Sequence, residues 1–278
     1  MIYWFLFVSI FVLGLAIGSF INALEYRIGT KLSIVKGRSI CPKCNKQLSW
    51  YDNVPVLSFL FLRGKCRQCK EPISWQYPVV ELLTGFVFVA VTLKAGWGLD
   101  SSSWAGMTWG KLLSFFILYS IFSILILIAL HDQKTTYVLS AYIYVAIFAT
   151  LIYLLLSYSG AWNVREVGIF LLPNIIGSAV AMLPFAVLYL FSKGAWMGAG
   201  DIEIAVLLGF LLGWPNLFVA LYFAFIVGSI WGLAKVYVLR NAGLKSEIPF
   251  APFLIAGTIF AFVFSEQLIS IYVRIFLG

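Results

Sequence analysis

The stretch "IAVLLGFLLGWPNLFVALYFAFIVGSIWGLA", residues 204–234, runs for 31 residues without a charge. An α-helix needs about 20 apolar residues to cross a bilayer, so this run is too long for one span. At 213–216 it is broken by GWPN, where glycine and proline together mark a turn. The reading is two apolar helices around a turn, 202–213 and 216–238, the first of them short.

The rest of the chain agrees. Of its 278 residues 62% are hydrophobic and only 11% charged, and mean hydropathy is +0.99. A soluble domain would need far more polar surface. Further apolar segments lie at 2–24, 79–97, 112–130, 137–157, 167–191 and 249–272. None shows the strand alternation of a barrel. The expected fold is an all-α polytopic membrane protein with about eight transmembrane helices. Segment 2–24 has no basic residue before its apolar run and no small-residue cleavage site after it. It is therefore expected to be a retained span, not a signal peptide.

Lysine and arginine set the orientation. Ten of the nineteen lie between Arg27 and Lys70, in a polar loop whose single acid is Asp52. Basic loops stay in the cytoplasm. Alternation then places 131–136, 192–201 and 239–248 on the same side, with Lys134, Lys193, Arg240 and Lys245. The outer segments around 98–110 and 158–166 are poorer in basic residues, and Arg274 is a mild exception. Topology and anionic lipid headgroups thus account for the net charge of +8. No basic helix or stacking platform points to nucleic acid.

The loop "CPKCNKQLSWYDNVPVLSFLFLRGKCRQCK", 41–70, holds all four cysteines: Cys41, Cys44, Cys66 and Cys69. Two CxxC pairs 21 residues apart suit a tetrahedral, structural zinc site of the ribbon type. Redox chemistry is the rival, and a catalytic zinc would need an open position. Between the pairs lie apolar residues too few to span and too many for water, expected to pack on the membrane surface or over a cleft. Trp50, Tyr51 and Trp75 read as interfacial anchors.

Two acids stand at cytoplasmic ends of spans: Asp132 in "IALHDQK" and Asp201 in "GAGDIEI". A charge at the centre of a span costs roughly 2.5–3.5 kcal/mol on insertion scales, and less towards its ends. Both fall at one depth on one side, where packing can pair them. Two carboxylates sharing a proton supply base and acid for peptide hydrolysis. Gly198 and Gly200 would let a substrate chain come close to the backbone. Glu203 lies about 200° further round the helix and should face elsewhere. His131, the lone histidine, reads as interfacial. Glu25 and Glu81 read as helix-end residues or ligand contacts. Midplane acids and inverted repeats, which a proton-coupled transporter would show, are not found in the sequence.

In their order these motifs resemble the bacterial type IV prepilin peptidases, membrane aspartic proteases of the GxGD type. "GLAIGSFINALEYRI" (14–28) resembles the first-span signature. The cysteine loop and "ISWQYPVVELLTG" (73–85) resemble the cysteine domain and second span. "GAGD" (198–201) matches the glycine–aspartate motif, and "IPFAPFL" (248–254) resembles the last-span entry. The resemblance implies cleavage of a short basic leader from pilin or pseudopilin precursors at the cytoplasmic face of the inner membrane. It implies Asp132 and Asp201 as the catalytic pair and the four cysteines as zinc ligands. It further implies N-methylation with S-adenosylmethionine, for which Ser19, Asn22, Arg27 and Glu81 are candidate contacts.

The division expected is 1–25 as the first transmembrane helix, 26–78 as the zinc domain and 79–278 as the peptidase domain. Two positions depart from the family pattern. "VLS" (138–140) stands where "IPD" is common, and Glu203 stands where a lysine is common, which makes the site more negative. Other GxGD intramembrane proteases have no reason to carry the cysteine loop, and an inactive pilin-binding scaffold is the remaining rival.

Overall fold

The computed structural model describes residues 2–30, 32–34, 37–94, 109–158, 164–195, 197–238 and 249–276. The chain divides into two compact units, Met1–Gly106 and Met107–Gly278. In the first unit α1 (Ile2–Gly29) and α3 (Gln76–Lys94) flank the cysteine loop. That loop carries a single 3-10 turn, Trp50–Asn53, and the short α2, Leu57–Phe61. In the second unit follow α4 (Trp109–Thr135), α5 (Ser140–Ser157), α6 (Val164–Ser192), α7 (Ala199–Leu212), α8 (Leu217–Leu233) and α9 (Ala251–Phe276).

Among the described residues every expected apolar segment is a helix, and seven are long and apolar enough to cross a membrane. The eighth, α7, has 14 residues and is about 21 Å long, short of the ~30 Å hydrocarbon core. Several helices overrun the apolar segments, whereas α5 begins at Ser140, inside 137–157. The first runs to Gly29, not residue 24, and the third spans Trp109–Thr135, not 112–130. Hydropathy marks the part that suits hydrocarbon, while backbone hydrogen bonding carries each helix on through its polar ends. Segments 98–108, 159–163 and 239–248, with Arg240 and Lys245, lie outside the described residues.

Apolar burial cannot drive helix association in lipid, so close approach of small residues must do so. In the first unit Gly14 and Gly18, four residues apart, lay α1 on α3. A Cβ at Gly14 would stand 2.6 Å from Gly85 Cα, and one at Gly18 2.7 Å from Glu81 Cα. In the second unit Gly177 of α6 meets Gly209 of α7, backbone on backbone, and Gly257 of α9 meets the Ala220 carbonyl of α8.

Helix α4 packs against α5 and α9, and α7 against α6, α5 and α9. These two supply most of the second unit's core: Ile121, Phe122 and Leu125 on α4, and Ile204, Ala205 and Leu207 on α7, are completely buried. The GWPN turn ends α7 with Gly213 at φ +68, a value glycine adopts freely. Trp214 N–H donates to the Pro173 carbonyl and Asn174 Nδ2 to the Phe210 carbonyl, tying the turn to α6.

Candidate active site and metal centre

Asp132 lies in the last turns of α4 and is 4% exposed. Its Oδ2 is fully enclosed without a hydrogen-bond partner among the described residues. The backbone N–H of Ala251, at the start of α9, faces the carboxylate. This gives "IPFAPFL" a physical reading. Phe250 accepts the first helical bonds, Ala251 presents a free N–H at the positive end of the helix, and Pro252 has no N–H to compete.

Asp201 is the third residue of α7, outside the seven helices of crossing length. Gly198, extended at φ −75 and ψ 151, is the N-cap. The Asp201 side chain turns back to accept from the Gly198 N–H, half of a capping box. Burial and then the charge of Asp132 push the Asp201 carboxyl up to about 6, against the pull of the Gly198 N–H. The two acids therefore feel one another electrostatically, as a pair sharing one proton requires.

The glycines of GAGD differ in role. A Cβ at Gly200 would stand 2.5 Å from Val138 Cβ, whereas at Gly198 the nearest atom is the Gly200 nitrogen at 4.0 Å. Gly200 is thus filled by Val138 of the α4–α5 link, and open space remains at Gly198 alone. Glu203 faces α5, where Tyr144 donates its hydroxyl to Oε1 at 3.1 Å. His131 is buried beside Asp132. Ala251 and Val138 were not readable as site residues. The only signal was the alanine held between prolines and the glycine immediately before Asp201.

The four cysteine sulfurs lie within 4.8 Å of one another, with Cys41 Sγ and Cys69 Sγ 3.9 Å apart. A tetrahedral zinc with ~2.3 Å bonds sets its sulfurs ~3.8 Å apart, so the cluster fits such an ion. Two similar knuckles build it. Asn45 N–H bonds to the Cys41 carbonyl and Cys41 N–H to Lys46. Lys70 N–H bonds to the Cys66 carbonyl and Cys66 N–H to Glu71. Asn45 and Lys70 both take positive φ, and the flanking bridges Ile40–Gln47 and Lys65–Pro72 correspond. Backbone N–H groups of Cys69 and Gln68 aim at the Cys66 sulfur and draw its thiol down to about 7, favouring the thiolate a metal binds. Arg67 clamps the 3-10 turn to the second knuckle by an ion pair with Asp52 at 2.9 Å and by lying over the Tyr51 ring.

Ser19, Asn22 and Glu81 come together on the α1–α3 face. Asn22 Nδ2 donates to the carbonyls of Gly18 and Tyr77, and its Oδ1 accepts from Gln76. Glu81 Oε2 accepts the Val56 N–H at 2.7 Å, and Ser19 also reaches that carboxylate. Arg27 is not part of this group. Its guanidinium donates to the carbonyls of Ser33, Ile34 and Gly37.

Two family models match the chain. One, described as the bacterial peptidase A24 N-terminal domain, matches residues 12–95, and the other, the type IV leader peptidase family, matches 119–233. The chain is 32% identical to the prepilin leader peptidase/N-methyltransferase of Bacillus subtilis over 269 residues, covering 97% of this chain and 98% of the relative. The chain belongs to the type IV leader peptidase family. Relatives of the same name include one from Aeromonas hydrophila, 31% identical over 99% of this chain and 96% of its own length. Another, from Myxococcus xanthus, is 33% identical over 86% of this chain and 66% of its own. No solved structure matches this member of the type IV leader peptidases.

Proposed function

We propose that this chain removes the short basic leader from prepilin or pseudopilin precursors, using Asp132 and Asp201 at the cytoplasmic face of the inner membrane. The observation that carries the reading is the charge that the buried Asp132 exerts on the half-buried Asp201 carboxyl in a member of this family. One carboxylate, ionised, takes a proton from water as the oxygen attacks the scissile carbonyl. The other, protonated, donates to the carbonyl oxygen, and collapse of the tetrahedral intermediate passes a proton to the departing amine. The open side of Gly198 suits an unwound substrate strand.

On this reading residues 1–25 form the first transmembrane helix, 26–78 a cytoplasmic zinc domain and 79–278 the peptidase domain. The four thiolates would hold a structural zinc and leave no coordination position for chemistry. N-methylation of the new terminus is proposed from the relatives' names, with S-adenosylmethionine supplying the methyl group. Ser19, Asn22, Arg27 and Glu81 are the proposed contacts for that cofactor, each hydrogen-bonded within its own unit. Co-expression with a prepilin, read by mass spectrometry of the mature N-terminus, tests both activities. Cleavage after the leader with a methylated amine is expected. An unprocessed precursor would overturn the reading.

A further inference from the structure

The stretch between the cysteine pairs turns sharply at Val56, which has φ +59 and ψ −49. A β-branched residue avoids that region. Leu57 N–H bonds back to the Pro55 carbonyl, so residues 55–57 close a γ-turn of the positive-φ, strained kind. Strain of this sort persists only where the surroundings over-determine it. Here the surroundings include the first bonds of α2, Ser58 N–H to Val54 and Leu60 N–H to Val56, and one buried side chain: the Val56 N–H donates to Glu81 Oε2 at 2.7 Å, and Glu81 is 6% exposed on α3. The turn is thereby fastened to a helix of membrane-crossing length.

Beyond the turn, α2 shows two faces. Phe59 is buried against Gly64 and lies 4.9 Å from the Trp75 ring. Leu57, Leu60 and Phe61 point outward, Phe61 at 84% exposure, and Trp50 and Trp75 are exposed beside them. Arg63, Lys65 and Lys70 are exposed close by in the chain; of the loop's two acids, Asp52 is neutralised by Arg67, and Glu71 is exposed next to Lys70. Both ends of the loop continue into membrane-length helices, at Gly29 and at Gln76. The loop is therefore tethered at the level where hydrocarbon gives way to headgroups. Exposed aromatic and aliphatic groups with a basic rim suit an anionic lipid surface.

We propose that Leu57, Leu60 and Phe61, with Trp50 and Trp75, form a blade that enters the anionic bilayer interface, and that Glu81 is the positioning residue that sets its angle through Val56. This rests on the membrane-spanning architecture and not on the peptidase reading. The full-length protein, carrying a photoreactive phenylalanine analogue at position 61, is reconstituted into phosphatidylcholine vesicles with or without phosphatidylglycerol. Adducts are identified by mass spectrometry, with the same analogue at exposed position 46 as control. Lipid adducts are expected at 61 and not at 46, rising when phosphatidylglycerol is added. Glu81→Ala should lower capture at 61 several-fold with bound metal retained. Glu81→Gln, which keeps an acceptor oxygen for the Val56 N–H, should restore it. Adducts at 61 only to protein, whether this chain or a co-reconstituted prepilin, would overturn the blade. So would equal lipid capture at 46. Undiminished lipid capture in Glu81→Ala would overturn the positioning role.

Discussion

Val138 occupies the space that Gly200 leaves by having no side chain. The contact joins the α4–α5 link, six residues beyond Asp132, to the first turn of α7, one residue before Asp201. The spacing between the two acids is thus set partly by a valine and a glycine that carry no chemistry. Gly200→Ala should slow prepilin cleavage markedly and lower stability by about 1–3 kcal/mol, as overpacking does. Adding Val138→Ala should recover most of the loss, because the two positions share one contact. Gly198→Ala should be much milder. Cleavage rates and melting in detergent check all three, and no recovery in the double variant would discard the coupling.

Asp132→Asn and Asp201→Asn should each lower cleavage by about a hundredfold to ten-thousandfold, the usual worth of positioned acid–base groups. Bound metal should be unchanged in both. Asp→Glu should fail nearly as badly, because one methylene displaces the carboxylate from hydrolytic geometry. A single-turnover assay on purified protein decides this, and near-normal cleavage by either asparagine variant would remove the aspartic mechanism.

The carboxyl of Asp201, moved up to about 6, makes a pH prediction of definite sign. Between pH ~4 and ~6 the folded chain binds more protons at this group than the unfolded chain, so its contribution to stability falls as pH rises through that window. Asp201→Asn removes a cost of up to about 3 kcal/mol, and should raise the melting temperature at pH 7 while changing it little at pH 4. Cleavage by the unaltered protein should be bell-shaped in pH, with the shared proton lost on the alkaline limb.

Metal analysis of the purified chain should find about one zinc per chain. Cys41→Ser and Cys66→Ser should each lower that content, and protease sensitivity should then rise within 41–70. Four freely alkylated thiols in metal-loaded protein would rule the site out.

Glu203→Gln should leave cleavage within a few-fold of normal, since its carboxylate is held by Tyr144. Tyr144→Phe should act in the same direction and no more strongly. A large loss in both, measured as kcat, would bring Glu203 into the reacting site.

Helices were legible because apolar runs with so few charges admit no other structure in lipid, and even the shortness of α7 followed from where Gly213 and Pro215 stand. The cysteine cluster was legible because CxxC spacing is itself a geometric statement. Gly200 was read as room for substrate, and the structure fills that room with Val138, a contact across the fold that no local pattern encodes. Glu81 and Asn22 read as ligand contacts because buried polar groups need partners. Their hydrogen-bond partners include backbone groups far away in sequence, Val56 and Tyr77. The turn at Val56 was invisible, since valine is among the last residues expected at positive φ.

The two cysteine knuckles match at a constant offset of 25 positions, Cys41 with Cys66, Cys44 with Cys69 and Asn45 with Lys70. An ion shared between them would make the segment from Cys44 to Cys66 a ring closed at its base. The entropy of closing a ring grows only with the logarithm of its length. Residues within it can then be lengthened, shortened or exchanged while α1, α3 and the acids of the second unit keep their sequence. The proposed blade and the proposed acid pair are in this sense separately editable, and a change in what the loop touches need not pass through any change in how the peptide bond is cut.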